Sequence, residues 1–150
     1  MPKFNSQGTK LQVEDPGTPG TFLDIPGVVD FNGPNIDVAE IDATTLDSTA
    51  REFLPGLGDN GDFSTTFYPD LQDANTQRIF NDIDGRVTRT YRIQFSDNLS
   101  TLPGAPSTPT IFEFDGFVRG APMSGGVDAI AQLGLTIRIA SAITYTFGAP

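Results

Sequence analysis

The chain contains no cysteine, no histidine and no tryptophan, and its only lysines are Lys3 and Lys10. Without cysteine there is no disulfide scaffold, no thiolate nucleophile and no Cys-based zinc or iron–sulfur site. Without histidine the commonest general base and metal ligand is missing, and with it every Ser-His or Cys-His arrangement. Two lysines near the N-terminus offer little for Ser-Lys catalysis. Positive charge is scarce altogether: 9 Lys and Arg face 19 Asp and Glu, for a net charge of −10 and a pI near 4.1. Such a chain has no general attraction for nucleic acid or anionic membrane surfaces. No stretch approaches the ~18 uninterrupted apolar residues of a membrane span. The segment Met1–Gly8 lacks the apolar core of a signal peptide, so the expectation is a protein made and kept soluble, with no secretion signal.

What is present is punctuation and a period of two. With 16 Gly and 12 Pro in 150 residues, connections should be many and short, as in an all-β chain of one domain. Residues 127–139 alternate best: Val127, Ala129, Ala131, Leu133, Leu135, Ile137 and Ile139 are apolar, with only Ile130 out of phase. At ~3.4 Å per residue that strand would span about 44 Å, more than the diameter of about 40 Å expected of a compact domain this size. It must bend or run past its own core. Residues 86–96 and 110–119 alternate too, with Arg89 misplaced on the apolar face of the first. Shorter strands fit 63–68 and 35–41, the latter with a bulge near Glu40. Lys10–Glu14, Thr21–Ile25 and Ala142–Phe147 are further strand candidates. Helical spacing of Leu71, Ala74, Ile79, Phe80 and Ile83 predicts a helix over 71–84, capped by Asp70 and ended by a left-handed Gly85. The predicted fold is mainly β: a sandwich or partial barrel of about seven or eight strands with one helix.

The stretch 42–62 reads as a long loop. Its length is unusual, and Leu46, Phe53, Leu54 and Leu57 make it too apolar for disorder. It should order against its own domain or a neighbour. Within it, Gly56-Leu57-Gly58-Asp59-Asn60-Gly61 matches G-x-G-x-x-G in letters only. A dinucleotide fingerprint must leave a strand and open a helix, whereas here Phe53-Leu54-Pro55 precedes and a period-two strand follows. Asp59-Asn60-Gly61-Asp62 is instead a tight turn. Asp82-Ile83-Asp84-Gly85 suggests a calcium loop, but the EF-hand register would place Phe80 at the first position and Tyr91 at the last. Glu113 and Asp115 lie two residues apart on one strand face, ~7 Å, near the separation of an inverting glycosidase pair. This spacing supports a second reading, a monomeric β-sandwich that binds or cleaves glycans. The aromatics, Phe63, Phe67, Tyr91, Phe95, Phe112 and Phe114 among them, belong to a core and not to a nucleic-acid stacking platform.

The order of elements carries a family resemblance. A strand at 35–41 leads into Asp42-Ala43-Thr44-Thr45-Leu46-Asp47 and then Phe53-Leu54-Pro55-Gly56-Leu57-Gly58-Asp59-Asn60-Gly61-Asp62-Phe63. A strand, a helix and Arg92-Ile93-Gln94-Phe95-Ser96-Asp97 follow, then Phe112-Glu113-Phe114-Asp115-Gly116-Phe117-Val118, and last Gly126-Val127-Asp128 opening a long alternating strand. From about residue 8 to 147 this resembles the major tail tube proteins of long-tailed bacteriophages and of related gene-transfer particles. The resemblance implies a structural virion protein and not an enzyme, with no cofactor and no membrane partner. It implies self-assembly into hexameric rings stacked as a hollow tube, contacts with tail-end and tape-measure proteins, and transient, non-specific passage of DNA. It also implies a single tail-tube domain over 1–150, without the C-terminal immunoglobulin-like domain that many members carry.

Three sets of residues follow as expectations. Leu46, Asp47, Arg51, Glu52, Phe53, Leu54 and Leu57 of the long loop should contact a neighbouring subunit. Glu113, Asp115, Asp128, Gln132 and Thr136, the polar alternates of the last two long strands, should face an acidic lumen. Arg138 shares that face, and either lies near the rim or pairs with a carboxylate. Residues 1–9 should form a flexible arm whose Lys3, with Lys10 just beyond, meets acidic surface on an adjacent subunit.

Overall fold

The computed structural model describes residues 5–99 and 103–149. The chain is mainly β with one α-helix, as its periodicities predict. Eleven strands form among the described residues: β1 (Lys10–Glu14), β2 (Phe22–Asp24), β3 (Val28–Asn32), β4 (Asp37–Asp42), β5 (Phe53–Asp59), β6 (Asp62–Phe67), β7 (Thr88–Gln94), β8 (Ile111–Gly120), β9 (Met123–Gly126), β10 (Ala129–Ile139) and β11 (Thr144–Thr146). Nine build one antiparallel sheet in the order β2-β1-β7-β8-β10-β6-β3, with β11 added to β8 and β9 to β10, while β4 and β5 pair separately. The end strands β2 and β3 do not pair, so the sheet is open. It nevertheless curls: Phe31 of β3 meets Phe95, just past β7, at 6.1 Å between ring centroids. The result is a partial barrel.

One face of this sheet carries the core. Leu11 and Val13 (β1), Tyr91 and Ile93 (β7), Phe114 (β8), Leu133, Leu135, Ile137 and Ile139 (β10) and Phe63 and Phe67 (β6) are buried on it. Burying such alternating apolar side chains is the main favourable term in folding. The helix α1 (Ala74–Gly85) covers this face with Ile79. It starts later than the spacing of Leu71 predicts. Asp73, not Asp70, is the N-cap, accepting the Asn75 amide at 3.3 Å. Asp70 caps the preceding turn, and Leu71 stays half exposed. At the other end Gly85 remains helical, and the left-handed residue is Arg86 (φ 53°), held by bonds from the Arg86 and Val87 amides to Ile83 and Asp82 carbonyls.

The misplaced Arg89 is explained by Asp82 on this helix. Its guanidinium donates to both Asp82 oxygens, at 2.6 and 2.8 Å, and Asp82 is buried. Burying a carboxylate is costly without such a partner, so one charge of the Asp82-Ile83-Asp84-Gly85 stretch is already committed within the fold.

Two parts of the molecule project beyond this core. β10 is shorter than the predicted strand, because Val127 and Asp128 form the two-residue turn between β9 and β10. Its first residues Ala129–Ala131 are exposed, and burial begins only at Leu133. The strand also shifts register against β8 between Thr136 and Ile137. Gly116 pairs with Ile139 two residues beyond the shift, where an added Cβ would come within 2.7 Å of the Arg138 carbonyl oxygen. The second projection is the β4–β5 ribbon, which corrects the reading of 42–62 as a loop.

Candidate functional site

The β4–β5 ribbon begins with the expected strand and bulge: register shifts between Val38 and Glu40. The return strand β5, Phe53-Leu54-Pro55-Gly56-Leu57-Gly58-Asp59, pairs Phe53 with Asp42, Leu54 with Ile41 and Pro55 with Glu40. Proline is tolerated because both strands are edges with no further partner. Only residues 43–52 remain a loop. Thr44 ties its two sides: its hydroxyl accepts the Glu52 amide at 2.9 Å, while its own amide donates to the Asp42 carboxylate at 2.9 Å. Hydrogen bonding by the Thr44 side chain, and then by the Thr44 amide, holds the Asp42 carboxyl below its ordinary pKa. Ser48 closes the apex by accepting the Thr45 amide at 3.0 Å. Thr44-Thr45-Leu46-Asp47 is therefore a self-bonded tip that presents Leu46 fully to solvent.

Apolar residues on this ribbon have no partner within the chain's core. Ile36, Val38, Ile41, Phe53 and Leu54 are each about half exposed, and Leu57 is 90% exposed. An isolated two-stranded ribbon is marginal in water, and a contiguous apolar surface of this kind marks an interaction site. Asp47, Arg51 and Glu52 lie exposed on the same tip.

The ribbon is joined to the sheet through Asp59-Asn60-Gly61-Asp62, which turns as the sequence predicts. Gly61 has φ +68°, and a Cβ there would approach the Asn35 carbonyl oxygen at 2.8 Å, so glycine is required. Asn60 donates to the Ser141 carbonyl at 2.9 Å, and the Gly61 carbonyl accepts the Ile139 amide. Arg138 resolves the question of its partner. One terminal nitrogen lies 3.1 Å from both Asp59 oxygens and the other 3.6 Å from Asp62, which Arg119 also contacts at 2.7 Å. This latch was not legible beforehand, since it joins residues 79 apart in sequence.

The latch yields a pH prediction. The Gly61 amide and then Arg138 hold the Asp59 carboxyl below its ordinary pKa of 3.8. A carboxyl depressed in the folded state stabilises above its ordinary pKa and loses that contribution as pH falls through the lowered value. The latch is therefore expected to stay closed at ~pH 5 and to open only below the ordinary carboxylate range. NMR titration of Asp59 checks this, and Arg138→Gln should restore the midpoint only in part, because the Gly61 hydrogen bond survives.

The face of the main sheet opposite the core is polar. Cross-strand register brings Lys10, Gln12, Thr90, Arg92, Glu113 and Asp115 together on β1, β7 and β8, and Thr136, Arg138, Ser64 and Asp62 on β10 and β6. Of the residues expected in a lumen, Glu113, Asp115 and Thr136 lie on this face. Gln132 lies in phase with Thr136 on β10, opposite Ser124 of β9. Asp128 does not share the strand; it is exposed in the β9–β10 turn. Glu113 bonds Arg92 at 3.1 Å and Asp115 accepts the Thr90 hydroxyl at 2.7 Å, so both members of the carboxylate pair are engaged on an open sheet face. Lys10 begins β1 and pairs with its own Asp24 at 3.6 Å. Lys3 lies outside the described residues. Residues 5–9 are held at Ser96, whose hydroxyl donates to the Asn5 carbonyl at 2.6 Å.

The fold is shared with solved structures of tube-forming assemblies. A tail subunit from an empty gene transfer agent particle, refined with C6 symmetry, superposes with a TM-score of 0.72 at 19% identity, covering 96% of this chain and 99% of that one. The SPP1 tail tube, determined by solid-state NMR and cryo-EM, gives 0.72 at 11% identity, covering 99% and 81%. The sheath/tube terminator of an extracellular contractile injection system gives 0.71 at 11%, covering 96% of each. No protein of curated function matches in sequence. The chain thus has the fold seen in tube subunits of a phage tail, a gene transfer agent and a contractile injection system. The chain belongs to the lambda-like phage tail tube family, whose model matches residues 3–149. It is a structural component of the virion tail, as the sequence resemblance implies. Among the described residues no helix is long and apolar enough to cross a membrane.

Proposed function

We propose that this subunit assembles with copies of itself into hexameric rings that stack as the tail tube, and that DNA passes through the lumen during ejection. The observation that carries the reading is the β4–β5 ribbon, an ordered element whose apolar residues find no cover among the described residues. A neighbouring subunit is the natural cover. The sixfold symmetry of the gene transfer agent tail, at nearly full coverage of both chains, supports the ring order. Tail-end proteins would meet the terminal rings and a tape-measure protein the growing tube.

The polar sheet face is the surface offered to the channel. The opposite face is consumed by the core, and a narrow channel with low-dielectric walls focuses the field of its charges. Charge-reversing Glu113 and Asp115 to Lys is expected to permit assembly yet slow ejection, because lysines on the wall would bind phosphate. Cryo-EM of tubes grown from the purified protein tests the whole reading. Sixfold rings with the polar face inward are expected, and a monodisperse monomer at all concentrations would overturn it.

A further inference from the structure

Four cations sit on the sheet face assigned to the channel: Lys10 on β1, Arg92 on β7, Arg119 on β8 and Arg138 on β10. Repeated around each ring, they would be a poor lining for a DNA conduit. A guanidinium binds phosphate through a bidentate fork, and a ladder of such sites would hold the polymer. Each one, however, already has a carboxylate from its own chain. Arg92 contacts Glu113 at 3.1 Å, directly across the β7–β8 ladder, and its guanidinium carbon lies 3.7 Å from the Phe22 ring centroid. Arg138 contacts Asp59 and Asp62, Arg119 contacts Asp62, and Lys10 contacts Asp24. By contrast, Arg51 and Arg86 have no ion-pair partner among the described residues, and they lie on the ribbon tip and at the helix end, away from this face.

We propose that these ion pairs mask the cations of the channel wall. Phosphates moving past find no free guanidinium, and the carboxylate of Asp115, which accepts the Thr90 hydroxyl but pairs with no cation among the described residues, leaves the surface negative. Solvent-accessible ion pairs contribute little to stability, typically ~0–1 kcal/mol. Their consequence here is for the field and for the availability of donors. The proposal rests on the reading of the polar face as the channel wall. It adds that the partners of the arginines, and not net charge alone, determine how freely DNA moves.

The test separates these two. Glu113→Gln removes one negative charge and releases Arg92; Asp115→Asn removes the same charge and releases no cation, because the Asp115 carboxylate accepts from the Thr90 hydroxyl and pairs with no cation among the described residues. Tubes of each variant are incubated at low salt with a short fluorescent DNA duplex and pelleted. E113Q tubes are expected to retain about tenfold more duplex than wild type, with the excess lost as salt rises. D115N should stay near wild type, and E113Q combined with Arg92→Gln should return to it. Equal retention by E113Q and D115N would overturn the masking proposal in favour of net charge. If no variant retains DNA, cryo-EM of the same tubes decides: a polar face inside the channel overturns masking, and a polar face outside overturns the channel assignment itself. Should E113Q fail to assemble, Asp62→Asn, which releases the exposed Arg119, is read against D115N in the same way.

Discussion

Replacing Phe53 and Leu54 together by Ser is expected to leave a folded monomer that no longer forms tubes. Neither residue belongs to the core, and no residue of β4 or β5 does, so the sheet and its helix should be unaffected. In the subunit Phe53 is 50% and Leu54 57% exposed. Covering the remaining half of two such side chains stabilises a contact by about 1 kcal/mol each. Their loss weakens each contact about 30-fold, and in a tube every subunit repeats the loss. Circular dichroism should match wild type, while sedimentation and electron microscopy should find monomers. Tubes in normal yield would show that the ribbon is not an assembly contact.

The second large effect concerns the interior. Asp82→Ala is expected to destabilise the fold by about 3 kcal/mol, because it strands the Arg89 guanidinium between helix and sheet. The Arg89 side chain is 19% exposed and Asp82 only 4%, which keeps the cost at the lower end for a broken buried pair. In a domain of this size that corresponds to a fall of roughly 10 °C in Tm. Removing both charges, as Asp82→Leu with Arg89→Met, should cost markedly less, since no charge is then left without a partner. Urea unfolding of both variants measures the difference. Equal costs would mean that the pair contributes through packing alone.

Much of this architecture was legible because burial on one side imposes a period of two. β6, β7, β8 and the latter half of β10 alternate, and each was read with the correct face inward. The β5 strand was not legible. Phe53-Leu54-Pro55-Gly56-Leu57-Gly58-Asp59 contains a proline and two glycines, and it is exposed on both sides, so neither propensity nor alternation marks it. The same exposure that hid the strand is what makes it a candidate contact. The predicted strand at 127–139 starts two residues early because Val127 continues the apolar phase of Ala129 and Ala131, which no described residue buries. Leu71 drew the predicted helix start forward for a similar reason, being apolar without being covered. The charge pairs were hidden differently. Arg138 with Asp59 and Arg92 with Glu113 depend on which strands become neighbours, and composition within a window carries no record of that. For Arg138 a carboxylate partner was one of two expectations, without saying which carboxylate, and Arg89 stood out only by sitting on the wrong face of its strand.

The long β10 strand also has a mechanical consequence. It pairs with β9 at its start and with β6 and β8 further along, so a single backbone runs from the exposed Val127–Asp128 turn into the middle of the core. Hydrogen bonds in an antiparallel ladder lie across the strands. A pull on that turn along the strand therefore loads many bonds together in shear, and cannot peel them one after another. A tension applied at the tip is borne by the whole sheet, and the turn can be a point of attachment without being a point of weakness.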